Sequence, residues 1–335
     1  MPSRRSDIPT YSELLDRTDA PPGSSWGVFG ADDQLGTLNF LTEETAAHAA
    51  RLVRAGRTYN LDYPLNTFVP SLSGTRPASE HSIFANGPNH RDDWLDSFYL
   101  QSTTQIDGWR HMRDPIYGFY GGVQDDLVVV DGPDLGIQLA AEKGIFARGV
   151  LVDLPRYFES IGRAYDPMGV MFIGPEDLDA ALAFHGVRWE TGDVLVLRTG
   201  WSSQYLGMTK EQQAEHRKNM VSPGLDQSRE ILAYLWDNQI SMAVSDNIGV
   251  EAIPVRPDSV FFDANEPKPN SGMSHNGMLH RPVIALLGLL LGECWNLDDL
   301  ADACAADGRY EFLLTAKPLD LIGAVGSPAN AMAVK

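Results

Sequence analysis

Residues 101–111 read Gln101-Ser102-Thr103-Thr104-Gln105-Ile106-Asp107-Gly108-Trp109-Arg110-His111. Two amides, a carboxylate and an imidazole recur here at i, i+4, i+6 and i+10. Strand side chains alternate with a period of two, so an extended backbone would turn all four to one face. At roughly 3.3 Å per residue, however, a straight strand sets Gln101 and Gln105 about 13 Å apart, whereas metal–oxygen and metal–nitrogen bonds span only about 2.0–2.6 Å. A single centre that gathers these groups therefore requires the stretch to bend, and Gly108 and the Thr103/Thr104 pair are the places for it. The competing reading is a polar edge strand with incidental Gln and Asp.

With 335 residues, 43% of them hydrophobic, the chain is long enough for one large domain or two ordinary ones. Basic residues number 26 against 45 acidic ones, and a net charge of −19 repels phosphate backbones and anionic bilayers. Nucleic acid and membrane surfaces are thus not the expected partners, and the surplus acid reads as a solvated surface. Cys294 and Cys304 are too few for a disulfide framework and lack C-x-x-C spacing, so a reduced, cytoplasmic setting is expected. Cys304 lies among Ala301, Ala303, Ala305 and Ala306, as a small core residue does. Met1-Pro2-Ser3-Arg4-Arg5 runs into polar residues, unlike a secretory leader. The longest apolar run, 283–291, falls far short of the roughly 20 residues that span a bilayer and reads as a core helix.

Residues 1–25, with Pro9, Pro21, Pro22 and Gly23, predict an extended arm that packs on the body or on a partner subunit, and 26–335 a single catalytic domain. Thr42 caps an expected helix through about Arg54, with Ala46, Ala49, Ala50 and Val53 as its buried stripe. Strand and helix signals alternate from about residue 127, beginning with a strand at 127–130 and the 133–142 segment, which suggests an α/β domain. The runs 150–152 and 194–197 have the pattern of strands buried on both faces. Between them 175–185 predicts a helix, with Pro175 in the first turn, Glu176 and Asp177 at its positive end and Gly186 as its stop. A helix over 225–237 and a strand at 242–244 follow, and Asp246, Asn247 and Glu251 just past that strand occupy the position where α/β folds collect sites. A helix over 281–291, another over 297–306 ended by Gly308, and a strand at 310–314 complete the reading.

No G-x-S-x-G, H-E-x-x-H, G-x-G-x-x-G or P-loop pattern is present, which removes the usual signatures of serine hydrolases, zincins and dinucleotide enzymes. His48 and His185 fall in helices, His216 in a charged helical stretch, and His81 and His90 in a polar loop, where surface or capping roles are the commoner ones. His280 and Glu293 differ, because they bracket the apolar run and could return to one pocket from its two ends.

Several segments taken together make the chain resemble the metal-dependent cyclase family that includes bacterial kynurenine formamidases and isatin hydrolase. Its signature, H-x-G-T-H-x-D-x-P-x-H, aligned on Asp107, keeps Asp107 and His111 and places Gln101 and Gln105 where the first two histidines stand. HRPVIALLGLLLGE matches the later ligands at His280 and Glu293. WGVFGADDQLGTLN, GIFARGVLVDLPRY, GDVLVLRTGW and GAVGSP extend the likeness over roughly residues 24–334.

That resemblance implies a swivelling β/β/α architecture, a mixed sheet surrounded by helices, in a homodimer or homotetramer. It further implies one divalent cation, Mn or Zn with Mg as an option, on Asp107, His280 and Glu293. Because Gln is a poor substitute for imidazole, the centre is expected to be weaker, single or absent altogether. The implied activity is arylformamidase-like hydrolysis of a small N-formyl, lactam or lactone substrate, with His111 and Asp107 catalytic. Gln101, Gln105, Trp109 and Tyr120 are the candidate substrate-binding residues, and Phe98, Tyr99, Tyr117 and Phe119 are further candidates for an aromatic wall. The alternatives are a metal-free isomerase, dehydratase or cyclase, in which Gln101, Gln105 and Asp107 bind the substrate and His111 does acid/base work, and a non-catalytic binding protein.

Overall fold

A computed structural model of the chain describes residues 5–267 and 275–335. The reading of Met1 to Arg4 as no secretory leader lies outside them. The strands are β1 (Thr58–Asn60), β2 (Glu80–Gly87), β3 (His90–Asp96), β4 (Gln105–Asp107), β5 (Ile145–Asp153), β6 (Phe172–Ile173), β7 (Val194–Arg198), β8 (Gly224–Leu225), β9 (Met242–Ser245), β10 (Leu290–Glu293), β11 (Glu311–Ala316), β12 (Gly326–Pro328) and β13 (Ala331–Val334). Nine of them form one mixed sheet in the order β1-β13-β11-β5-β7-β9-β10-β4-β12. Its centre, β5-β7-β9-β10, is parallel, and β4 closes against β10 antiparallel.

The central strands are apolar on both faces because both are covered. On one side Val150, Val152, Leu195, Leu197 and Ala243 join a core with Leu178, Ile231, Leu235 and Trp236. On the other, Leu151, Val194, Val196 and Val244 pack with Leu300, Ala301 and Cys304. The covering helices are α1 (Tyr11–Leu15), α2 (Glu43–Ala50), α3 (Gln138–Lys143), α4 (Leu154–Ser160), α5 (Pro175–His185), α6 (Trp201–Gly207), α7 (Lys210–Lys218), α8 (Arg229–Asp237) and α9 (Asp298–Asp307). The mixed α/β sheet with helices around it is the expected architecture. Among the described residues no helix is long and apolar enough to cross a membrane.

Local chemistry explains where the helices begin and end. Thr42 caps α2 in a capping box with Thr45, and the left-handed Gly186 and Gly308 end α5 and α9. Other expectations are corrected. The 127–130 segment is not a strand: a 3₁₀ turn occupies Asp125–Leu127, Val130 is 89% exposed, and among the described residues no strand pairs with the segment. Helix α2 stops at Ala50, which is exposed, so its buried face is Thr45 and Ala49. His81 and His90 lie on the hairpin β2-β3, not in a loop.

The N-terminal arm is not wholly extended, because Thr10 caps the short helix α1. Ile8, Tyr11 and Leu14 of the arm enter the main core, and Trp236 of α8 donates its indole N–H to the Pro9 carbonyl at 2.7 Å.

The largest difference concerns 281–291. The helical backbone stops at Leu286, at the end of the π-type turn Pro282–Leu286, and the chain then reverses at Gly288 (φ +66°) into β10. A Cβ at Gly288 would lie 2.6 Å from the Tyr120 ring and 2.8 Å from the Gly36 Cα, so only glycine fits that close approach. A short apolar run suits a buried helix and a buried strand equally, which is why periodicity misassigned it.

Candidate functional site

The antiparallel register of β4 on β10 sets Gln105 opposite Glu293 and Asp107 opposite Leu291. Gln105 and Asp107, two residues apart, share a face. His280 arrives from the residue pair preceding Pro282, and the reversal at Gly288 returns Glu293 to it. His280 Nε2 lies 2.9 Å from Glu293 Oε1 and 4.0 Å from Asp107 Oδ2. One ligand atom from each of Asp107, His280 and Glu293 falls within 4.8 Å of the others, and all three residues are buried.

Gln101 precedes the strand, so the even spacing of 101–111 is extended only over 105–107. The chain bends on both sides. Gly108 donates its N–H to the Val325 carbonyl at 2.9 Å, and a Cβ there would lie 2.6 Å from that oxygen. The turn at Gly108 then brings His111 back, its N–H bonded to the Gly108 carbonyl, with Nε2 3.9 Å from Asp107 Oδ1. Gln101 Nε2 donates to Asp107 Oδ1 and lies 3.1 Å from His111 Nδ1. Gln105 Nε2 donates to Glu293 Oε2 at 2.6 Å. Both amides therefore brace the carboxylates.

Asp107 Oδ2 is buried without a hydrogen-bond partner, a costly arrangement for a carboxylate oxygen. Burial, reinforced by Asp107, pushes the Glu293 carboxyl up to about 7. These features fit a cation as the missing partner. Glu251 completes the fit. It accepts His280 Nδ1 at 2.5 Å, the Leu279 and His280 backbone N–H groups at 2.7 and 2.9 Å, and Gln227 Nε2 at 2.8 Å. A proton fixed on Nδ1 leaves Nε2 as the nitrogen aimed at Asp107 and Glu293, the arrangement of a ligating histidine held by a carboxylate. Burial opposes charge on His280, yet the hydrogen bonds to Glu251 and Glu293 raise its pKa well above the ordinary value. For His111 burial prevails and lowers the pKa.

The group opens on a cavity of about 540 Å³ lined by Gln101, Gln105, His111, His275, His280 and Glu293, with an apolar wall that includes Met220, Ile248, Ile253 and Met278. Two candidate substrate-binding residues are corrected. Trp109 is fully buried with its indole N–H on the Gly288 carbonyl, and Tyr120 is buried with its hydroxyl on Asp33, so both hold the reversal at Gly288 from the core. Phe98, Tyr99, Tyr117 and Phe119 do not line the cavity either. Asp246 accepts the Thr199 and Gly200 N–H groups, and Asn247 ties its loop to Pro223, so both are structural.

His275 escaped the sequence reading, since nothing in its polar surroundings marks it. Its ring centroid lies 5.4 Å from that of His280 and 5.9 Å from that of His111. Burial, then the neighbouring His280 and His111, push its pKa down to about 2.

Comparison with known proteins follows the same line. The Cyclase family model matches residues 59–252, a span that holds Asp107, His111 and Glu251 but ends before His280 and Glu293. A crystal structure of a novel cyclase is 30% identical, covers 93% of this chain and 99% of that one, and has a TM-score of 0.79. Isatin hydrolase A from Labrenzia aggregata, bound to benzyl benzoate, is 18% identical over 89% of this chain and 98% of that one, with a TM-score of 0.54. Isatin hydrolase A from Ralstonia solanacearum is 18% identical over 88% and 98%, with a TM-score of 0.55. At that identity these two share the fold alone. No curated protein matches the chain.

Proposed function

The chain belongs to the Cyclase family, and from that premise we propose that it is a metal-dependent hydrolase of an amide, lactam or lactone bond in a small cyclic or N-formyl substrate, arylformamidase-like in its chemistry. The observation that carries this reading is the convergence of Asp107, His280 and Glu293 around a buried carboxylate oxygen that has no donor. Two carboxylates and an imidazole suit Mn or Zn, with Mg also accommodated. A divalent cation held by these residues supplies Lewis-acid polarisation of a carbonyl and activation of water near neutral pH.

The chain's own residues do the remainder. Glu251 keeps His280 in one tautomer, and Gln101 and Gln105 hold Asp107 and Glu293 in position. His111, kept neutral by burial, is suited to take a proton from the attacking water and to pass it to the departing nitrogen or oxygen. The apolar cavity wall receives the body of the substrate and limits water.

The test is metal analysis of protein purified without chelator, followed by assay of formanilide, a lactam and a lactone with Mn²⁺ or Zn²⁺ restored. Absence of both stoichiometric metal and metal-dependent turnover sinks the proposal. One observation favours the metal-free isomerase, dehydratase or cyclase as a second reading: the Gln101 amide already bonds Asp107 and approaches His111. Glu293→Ala separates the two, since it should cripple a metal enzyme and cost a metal-free one little beyond stability.

A further inference from the structure

Against a chain charge of −19, the described residues that line the cavity include three cationic side chains, Arg76, Arg217 and Lys218, and a single carboxylate, Glu293. Two of the cations are engaged nearby. Arg217 Nη1 donates to the Tyr205 hydroxyl at 2.7 Å, and Lys218 Nζ pairs with Glu215 at 2.6 Å. Arg76 is the one tied to the centre. It is half-buried and its Nη1 donates to the carbonyl of Gln101, whose side chain bonds Asp107, and among the described residues neither Arg76 nor Arg217 is paired with a carboxylate. Among the described residues one of the five guanidinium N–H groups of Arg76 is committed, so the group is incompletely matched, and the ligand that suits its planar fork is an oxyanion of carboxylate geometry.

Given the hydrolase reading on which this rests, we propose that Arg76 is a specificity residue, and that the substrate is an amide, lactam or lactone bearing a carboxylate on an apolar body. Gln101 links the two functions. Its carbonyl holds Arg76 while its side chain holds Asp107 and faces His111, so a carboxylate on Arg76 sits beside the reacting centre. The apolar residues Met220, Ile248, Ile253 and Met278 on the same cavity wall take the body of the molecule.

The experiment measures binding by calorimetry to the metal-loaded protein, with two matched pairs of probes. Benzoate is set against benzamide, and benzenesulfonate, a weak metal ligand, against methyl phenyl sulfone. Each anion is expected to bind about tenfold or more tightly than its neutral partner, with the preference erased in Arg76→Met and only partly kept in Arg76→Lys, which has the charge without the fork. Metal content and melting temperature should match the parent protein. An anion preference that survives Arg76→Met, or equal weakening of anionic and neutral probes as loss of a mere Gln101 clamp would give, overturns the proposal. Binding is read without turnover, so the two readings fail separately. An Arg76-dependent preference with no hydrolysis rejects the hydrolase alone, while hydrolysis without the preference rejects the carboxylate alone.

Discussion

Asp107 is wholly buried, with one carboxylate oxygen bonded to Gln101 and the other without a donor. Asp107→Asn keeps the shape and removes the charge. Loss of even an outer partner of a metal ligand costs about 10–100-fold, so this variant is expected to lose its metal and at least about 100-fold in kcat/KM. Metal analysis and steady-state kinetics on the folded variant check both. Glu251→Gln should instead weaken metal affinity by about 10–100-fold in a chelator competition, while saturating metal restores most of kcat, because the ligands themselves remain. His111 provides the pH dependence. Burial lowers its pKa, so the basic form prevails above the ordinary value of 6.5 and is lost as pH falls below it. The acid limb of kcat/KM should therefore have its midpoint below 6.5, and a midpoint above that value would argue against His111 as the base. In the sequence, even spacing singles out Asp107 and His111 and the apolar run singles out His280 and Glu293, but it is the family resemblance that joins Asp107, His280 and Glu293 as one candidate set. Glu251 acts on a histidine 29 residues away, and His275 stands in a polar stretch of sequence without periodicity, so no local pattern could assign either role.

Elements whose signals are local are legible in the sequence, and those decided by tertiary contact are not. Helix α5 has Pro175, Glu176, Asp177 and Gly186 at its ends, and β7 is an apolar run between turn formers. By contrast, the run 283–291 carries no mark that distinguishes a buried helix from a turn followed by a buried strand. The packing of Gly288 against Gly36 and Tyr120 decides it. Trp109 and Tyr120 were misplaced for the same reason, since aromatic residues near a site are as useful beneath it as in it. The junction of α5 with β5 carries its own prediction. His185, the last residue of α5, stacks on Tyr310 at 3.9 Å and accepts the Asp153 N–H at its Nε2. Burial pushes its pKa down to about 4. The folded state thus binds this proton less readily than the unfolded chain, whose pKa is about 6.5. Its contribution is complete above about pH 6.5 and is lost as pH falls toward 4. In denaturant titrations at pH 4.5 and 7.5, His185→Leu should shrink the acid loss of stability by on the order of 1–3 kcal/mol. An unchanged pH dependence would show that His185 does not contribute to it.

At the scale of the molecule, the candidate ligands come from β4, from the residue pair before Pro282 and from β10, segments separated by up to 186 residues between Asp107 and Glu293. The unfolded chain cannot hold them together, so a cation that binds the folded state draws the equilibrium toward it. At a free concentration of about 100 times Kd this linkage is worth about 2.7 kcal/mol. For a domain of this size that corresponds to a rise of a few degrees in Tm. The parent protein is therefore expected to melt a few degrees higher with Mn²⁺ or Zn²⁺ than after treatment with chelator, with the rise saturating as metal is titrated. Asp107→Asn should melt at one temperature in both conditions. Since its undonated, charged oxygen is gone, the variant is expected to equal or exceed the metal-free parent in stability while lacking its activity. Such an outcome distinguishes a residue retained for the centre from one retained for the fold. A parent protein whose Tm is indifferent to metal and chelator alike would instead place Asp107, His280 and Glu293 among ordinary buried polar networks, and the metal-free reading would take precedence.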